Sequence, residues 1–292
     1  MNRRRMARPG KPSTIRDQLI NARAALRASG NNDAWLDAEV LLAYVLNVDR
    51  AWLHGHPERP LTAAERQRFR RLVGRRVEHV PVAYLTGRKQ FYGHDLHVSP
   101  AVLIPRPESE LLVDLALEWL RDHPSARRVI DLGIGSGAIA IAIAKAASSV
   151  SVVGIDVDPK ALAVAAKNLA ELRLRSRIEL RRGDLLQSAP PADLIVANLP
   201  YLSAARRRSA GPELGYEPKS ALSGGEDGLD LVRRAVQEAP AIIRAPGCLL
   251  FECDPGQSRR LERLGKATWP AATVTIHKDL AGRGRAVQIQ LP

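Results

Sequence analysis

Cysteine is nearly absent. The 292 residues contain two, Cys248 and Cys253, both in or beside an apolar run. Two thiols with no Cys–His spacing exclude a disulfide scaffold and a zinc module, and they suit a reducing cytoplasm. Aromatic side chains are also few, at 4%, which leaves little material for stacking nucleobases. No apolar run reaches the length of a membrane span. The start, Met1-Asn2-Arg3-Arg4-Arg5, has no apolar stretch behind it, so it reads as a basic tail and not as a secretory leader. No internal repeat is visible, which excludes a solenoid. His54 and His56, beside Pro57, lack a Cys or carboxylate at ligand spacing. They read as loop residues, and no metal site is expected.

What is present begins with length. A chain of 292 residues is comfortable for two domains, and 45% hydrophobic with 26% charged residues is a globular composition. The net charge of +13 is clustered in Arg3 to Lys11, Arg66 to Arg76, Arg181-Arg182 and Arg206-Arg207-Arg208. Such clusters favour an anionic partner, either ribosomal or other RNA, or an acidic protein surface. Arg-rich coding on solvated faces produces the same pattern, and composition does not separate the two.

Residues 1–80 read as a basic tail followed by a helical domain. Leu19, Ile20, Ala24 and Leu26 recur at helical spacing. Asn32 or Asp33 can cap a second helix carrying Leu36, Val40, Leu41 and Leu42, and Thr62 with Glu65 forms a capping box for a third over Arg66 to Glu78. Residues 81–105 change character. Tyr84, Leu85, Phe91, Tyr92, Leu96 and Val98, broken by Gly87 and Gly93, predict a β-hairpin or extended connector. From 106 to 292 strands and helices alternate. Strands are expected at Val129–Asp131, Val152–Asp156, Ile178–Leu180, a run ending at Ala197, Cys248–Glu252, Thr273–His277 and Ala286–Gln290. Helices are expected at 136–147, 159–172, 229–243 and 257–266. The fold class is therefore α/β, a Rossmann-like doubly wound domain preceded by a small helical bundle and a hairpin connector. Ligands of such sheets sit at the carboxyl ends of the strands.

Four consecutive strand ends carry candidate ligand groups. Asp131-Leu132-Gly133-Ile134-Gly135-Ser136-Gly137 follows the first strand and opens a helix. Its glycines are spaced two and two, not two and three as in dinucleotide folds. Glycine permits the sharp turn, and the helix start offers free N–H groups. Asp156 ends the second strand, where a carboxylate can accept both hydroxyls of a ribose. Asp184 and Leu185 follow the third, placing an acid and an apolar cover where an adenine would lie. Asn198-Leu199-Pro200-Tyr201 ends the fourth. Asn198 Oδ1 and the Leu199 carbonyl are acceptors, Pro200 stiffens the turn, and Tyr201 can stack on a flat group. This order resembles the S-adenosylmethionine-dependent methyltransferases, and the tetrapeptide is similar to the Asn-x-Pro-Tyr signature of those that modify a planar nitrogen.

Further segments narrow the resemblance. Tyr84-Leu85-Thr86-Gly87 through Phe91-Tyr92-Gly93, Ile104-Pro105-Arg106-Pro107-Glu108-Ser109-Glu110, Pro212-Glu213, Glu217-Pro218 and Gly225-Glu226-Asp227-Gly228-Leu229-Asp230 resemble the release-factor glutamine methyltransferase family, the HemK/PrmC type. The resemblance covers almost the whole chain. It implies methyl transfer from S-adenosylmethionine to the side-chain amide of the glutamine in the Gly-Gly-Gln of peptide chain release factors, in the cytoplasm. It implies that Asp131 and Gly133, Ile134, Gly135, Ser136 and Gly137 hold the methionine end of the cofactor, Asp156 the ribose, and Asp184 and Leu185 the adenine. Asn198, which also borders the cofactor, Leu199, Pro200 and Tyr201 then form the catalytic, substrate-binding turn. Arg106 and Glu108 either shape the substrate side or cap the helix beginning near Pro107.

Three departures stand out. Leu199 occupies a position where the family usually has Pro, Glu252-Cys253-Asp254-Pro255-Gly256-Gln257 follows the late Glu-x-Gly stretch only loosely, and Arg206–Arg208 lies just beyond the signature. Other readings are a glutamine methyltransferase acting on a ribosomal protein, which the basic patches would suit, an adenine N6 methyltransferase, and a non-catalytic RNA- or ribosome-binding module. The few aromatics and the absence of a separate target-recognition domain count against the adenine enzyme. Intact Asp156, Asn198 and Tyr201 count against the module.

Overall fold

The computed structural model describes residues 13–279 and 281–292. The basic tail expected at the start lies outside them. The chain divides into two compact units, the first ending at Thr86 and the second spanning Gly87–Pro292.

The first unit is helical. It contains α1 (Ile15–Ala28), α2 (Ala34–Leu46), α3 (Arg50–Gly55), α4 (Ala63–Val77) and α5 (Val82–Thr86). Capping boxes open α1 at Thr14/Asp17 and α4 at Thr62/Glu65, each satisfying two otherwise orphaned N–H groups. Ile15, Leu19, Leu26, Leu41, Leu42, Leu53 and Phe69 form one buried cluster. A buried ion pair, Arg76 Nε to Asp37 Oδ2 at 2.6 Å, joins α4 to α2. Two expectations change here. His54 lies within α3, not in a loop, with Nε2 3.1 Å from the buried Glu39 carboxylate; that carboxylate is fifteen residues away, beyond local spacing. Tyr84 and Leu85 belong to α5, not to an extended connector.

The second unit opens with a hairpin, β1 (Arg88–Phe91) and β2 (His94–His97). Its two-residue turn, Tyr92-Gly93, has positive φ at both positions, the geometry that matches strand twist. The hairpin is held to the body of this unit by side chains distant in sequence. Glu110 accepts from Tyr92 N, Asp114 accepts from the Tyr92 hydroxyl, and the buried Asn168 side chain bonds both His97 N and His97 O. Asn168 also donates to Ser136 O of the glycine loop.

After α6 (Glu110–Asp122) come β3 (Arg128–Leu132), α7 (Ala138–Ala146), β4 (Ser151–Asp156), α8 (Pro159–Glu171), β5 (Ile178–Arg182) and β6 (Ala192–Ala197). Then follow α9 (Ala204–Arg208), α10 (Asp230–Glu238), β7 (Ile243–Glu252), α11 (Ser258–Thr268), β8 (Thr273–Lys278) and β9 (Gly284–Leu291). The sheet order is β5-β4-β3-β6-β7-β9-β8. The first five of these strands are parallel, and β9 is antiparallel between β7 and β8.

Burial on both faces explains the continuous apolar runs. Leu194, Val196, Cys248 and Leu250 pack into one layer with α6 and α7, while Ile195, Ala197, Leu249 and Phe251 pack into the other with α10 and α11. The direction of strand addition reverses between β3 and β6. That is the switch point where α/β sheets open a crevice. Among the described residues no helix is long and apolar enough to cross a membrane.

Candidate active site

A cleft of roughly 1080 Å³, open to solvent at its mouth, lies over the carboxyl ends of β3, β4 and β6. The glycine loop forms its floor. Gly133, Gly135 and Gly137 all have positive φ, so the loop curls without side chains intruding. Gly133 N and Ile134 N donate to Ile155 O, and Gly137 N to Ile134 O. Ile134 turns its side chain onto Gly154 of β4, where a Cβ would sit 2.0 Å from its terminal carbon.

The acids differ in their surroundings. Asp131 is 2% exposed, and its Oδ2 accepts from Ala140 N at 2.9 Å. Burial pushes its pKa up to about 7, because a desolvated carboxylate with few donors prefers its proton. Asp156 accepts from Gly135 N at 3.0 Å and from Asp158 N at 2.9 Å, and burial raises its pKa too. Each of its oxygens keeps a lone pair for a further donor. Asp184 is exposed and pairs with Arg234 Nη2 at 2.8 Å. Leu185 beside it is buried in a left-handed conformation (φ 51°).

The Asn198–Tyr201 turn forms one wall. Leu199 is 3% exposed and lies 3.2 Å from the point where a Cβ on Gly133 would stand. The side chain in the variant position therefore packs beneath the loop, away from solvent. Asn198 Nδ2 donates to Ser109 Oγ at 2.9 Å, Ser109 Oγ donates to Glu252 Oε2 at 2.6 Å, and the Tyr201 hydroxyl donates to Glu252 Oε1 at 3.0 Å. Among the described residues no donor reaches Asn198 Oδ1 or the Leu199 carbonyl. Burial raises the pKa of Glu252 and that of the Tyr201 phenol, so Tyr201 stays protonated and donates. Behind the turn, Gln257 Nε2 donates to Tyr201 O and Asp227 O. Gly228 (φ 81°) packs so closely that a Cβ would stand 2.2 Å from Tyr201 O.

Of the residues singled out in the sequence, Asp131, Gly133, Ile134, Gly135, Ser136, Asp156, Asp184, Leu185, Asn198, Leu199 and Pro200 line this one cleft. Gly137, Tyr201, Arg106 and Glu108 are not among its lining residues. Arg106 sits at the start of a 3-10 turn over Pro107–Ser109 and pairs with Glu217, a carboxylate that is 5% exposed and also accepts from Ile104 N. Glu108 is exposed. Arg206 pairs with Asp254 at 2.8 Å, and Arg207 and Arg208 are exposed on α9. Sequence reasoning missed Phe91, Val102, Leu103, Pro105, Ser109 and Pro218 as lining residues. The signal for several was the Ile-Pro-Arg-Pro-Glu-Ser-Glu stretch, whose apolar and hydroxyl members matter more than its charges.

A buried carboxylate, a strand-end acid with spare lone pairs and an apolar wall fit a nucleoside bearing a cationic amino-acid tail. Sheet order, glycine loop and Asn-x-Pro-Tyr turn together define a Rossmann-like methyltransferase. Residues 17–87 match the family described as the PrmC N-terminal domain, and residues 109–246 match the methyltransferase small domain. The release factor glutamine methyltransferase of Xylella fastidiosa (strain 9a5c) is 41% identical over 271 residues, covering 92% of this chain and 98% of that one. That of Cereibacter sphaeroides is 38% identical over 278 residues, covering 94% and 98%. The ribosomal protein uL3 glutamine methyltransferase of Bordetella pertussis is 38% identical over 249 residues, covering 82% and 84%. In fold alone, the hMettl16 catalytic domain is similar with a TM-score of 0.55 at 16% identity, over 68% of this chain and 76% of that one. The chain belongs to the release factor glutamine methyltransferase family.

Proposed function

We propose that this protein transfers a methyl group from S-adenosylmethionine to the side-chain amide nitrogen of the glutamine in the Gly-Gly-Gln segment of a peptide chain release factor. One observation carries the reading. Asn198 Oδ1 and the Leu199 carbonyl, two acceptors without donors among the described residues, border the cleft that Asp131 and Asp156 line. A glutamine amide brings two N–H donors to match them.

S-adenosylmethionine, when bound, supplies an activated methyl on a cationic sulfur, so no metal or covalent enzyme intermediate is required. Asp131 and the Gly133–Gly137 backbone hold its charged amino-acid end, Asp156 its ribose, and Asp184 and Leu185 its base. Asn198 and the Leu199 carbonyl accept the two amide hydrogens and aim the nitrogen lone pair at the methyl. The amide lone pair is delocalised and a poor nucleophile, so orientation is the main help the chain offers. Pro200 stiffens the turn. Tyr201, its hydroxyl committed to Glu252, braces the turn from behind. Arg106, held by Glu217, positions the Pro107–Ser109 segment, and Glu108 faces the acceptor protein. The helical unit recognises that protein, and the exposed Arg207 and Arg208 add attraction for an anionic surface, readable as salt dependence of acceptor KM.

The test is labelled-methyl transfer to a purified release factor, with a Gly-Gly-Ala version as control and uL3 as a second acceptor. Transfer to the release factor and not to the control is expected. Preference for uL3 would move the acceptor to the ribosomal protein. Asn198→Ala is expected to lower turnover by about 10²–10³, as for removal of one group that orients a transition state. Near-normal turnover would sink the assignment of this turn.

A further inference from the structure

We propose that Glu252, acting through the Ser109 hydroxyl, sets which end of the Asn198 side-chain amide faces the cleft. The inference rests on the methyl-transfer reading above and assigns Glu252 and Ser109 as positioning residues, since neither needs to touch the acceptor.

The argument is one of hydrogen-bond polarity. An Asn side chain has nearly the same shape with its oxygen and nitrogen exchanged, so its orientation is decided by its partners. Glu252 ends β7 with 1% exposure, and Ser109 is 3% exposed. An ionised carboxylate only accepts. Burial raises the Glu252 pKa, and the hydrogen bonds donated by Ser109 and Tyr201, with Arg285 nearby, oppose that rise and favour the ionised form. Glu252 Oε1 receives the Tyr201 proton at 3.0 Å, and Oε2 receives the single Ser109 proton at 2.6 Å. With its proton committed, Ser109 Oγ can only accept from Asn198, and Asn198 Nδ2 lies 2.9 Å away. The Asn198 oxygen is thereby left for the cleft. A flipped amide would set the Asn198 oxygen against the Ser109 lone pairs and turn an NH2 toward the incoming NH2 of glutamine. Two acceptors facing each other, one buried and one half-buried, is an arrangement folded proteins avoid.

The three residues come from a 3-10 turn, the loop after β6 and the end of β7. The relay is therefore a tertiary device. It also gives a role to the Glu252 segment, which fits the family pattern only loosely, and to the Ser of the Pro-Glu-Ser-Glu stretch.

Glu252→Gln tests it at constant shape. Gln offers one acceptor and one donor to two hydroxyls. When its NH2 faces Ser109, the Ser109 proton turns to Asn198 and stabilises the flipped amide. Glu252→Gln and Ser109→Ala are each expected to lower kcat about tenfold or more, while cofactor Kd and acceptor KM stay within about threefold. Polarity can also be reversed. In Glu252→Gln/Asn198→Asp, the introduced amide donates to Ser109, Ser109 donates to the introduced carboxylate, and the second oxygen of that carboxylate faces the cleft. The double variant is expected to turn over at least about fivefold faster than Asn198→Asp alone. Independent losses, with the double variant slower than either single one, would overturn the relay. So would wild-type kcat in Glu252→Gln, or a loss of cofactor affinity parallel to the loss of kcat in both single variants, which marks a merely structural role. An active Asn198→Ala would instead remove the underlying reading. An inactive Asn198→Ala beside a fully active Glu252→Gln would remove the relay alone.

Discussion

Replacing Asp131 by Asn should stabilise the ligand-free protein at alkaline pH while weakening cofactor binding. Asp131 is 2% exposed, its carboxylate accepts from Ala140 N, and burial pushes its pKa up to about 7. In the unfolded chain the value is about 3.9. Between these limits the folded state binds the extra proton, so stability falls as pH rises from about 4 through about 7. A gap of about three pH units at about 1.4 kcal/mol each sets a ceiling of roughly 4 kcal/mol on this destabilisation. Relaxation around the ion brings a realistic figure nearer 2 kcal/mol. Asn keeps the acceptor for Ala140 N and never ionises. At pH 8 the variant should therefore unfold about 4–8 °C above wild type, taking about 2–4 °C per kcal/mol for a unit of this size. The two should coincide only near pH 4 and below, and by pH 5 about a third of the full difference should already be present. Scanning fluorimetry without cofactor at pH 5, 6, 7 and 8 reads the difference directly. A difference that stays constant with pH, or a variant less stable at pH 8, would refute the reasoning. Cofactor affinity should move the other way, falling about 10–100-fold at pH 8 as a charge-assisted contact is lost. A cationic ligand also draws the carboxyl back to its ionised form, so binding at pH 7 should release protons. Calorimetry in buffers of different ionisation enthalpy measures that release.

Gly228→Ala forces a Cβ to within 2.2 Å of Tyr201 O at φ 81°, and should cost about 1–3 kcal/mol by denaturant unfolding and lower kcat more than cofactor affinity. Leu199→Pro keeps the carbonyl that borders the cleft but loses aliphatic packing against Gly133. Turnover should stay within about threefold while stability drops by about 1 kcal/mol, and a collapse of turnover would show that the side chain itself matters. Arg106→Ala strands the buried Glu217 carboxylate and should destabilise by about 2–4 kcal/mol. A stability unchanged in chemical denaturation would mean that the pair contributes nothing.

Legibility varied with the range of the interaction. The strands of the second unit were readable because both sheet faces bury apolar residues, and the glycine loop because positive φ strongly favours Gly at closely spaced turn positions. Errors fell on short elements whose conformation is set from outside. Helix α5, with Tyr84 and Leu85, has five residues and no periodicity of its own. The expected helix over 229–243 stops at Glu238, where Pro240 leaves only a 3-10 turn at Ala239–Ala241, and β7 begins earlier than its apolar run suggests.

The succession of strands along the chain, the acids at their ends and the Asn-Leu-Pro-Tyr turn follow from the sequence alone, because each is a local pattern of residue type, whereas the order of strands within the sheet does not. Tertiary structure alone decided the partners. Arg106 belongs to Glu217, 111 residues away, Asn198 to Ser109, 89 residues away, and Ser109 to Glu252, 143 residues away. Buried polar groups must find donors and acceptors wherever the fold brings them, and no local pattern records which distant hydroxyl will hold which carboxylate.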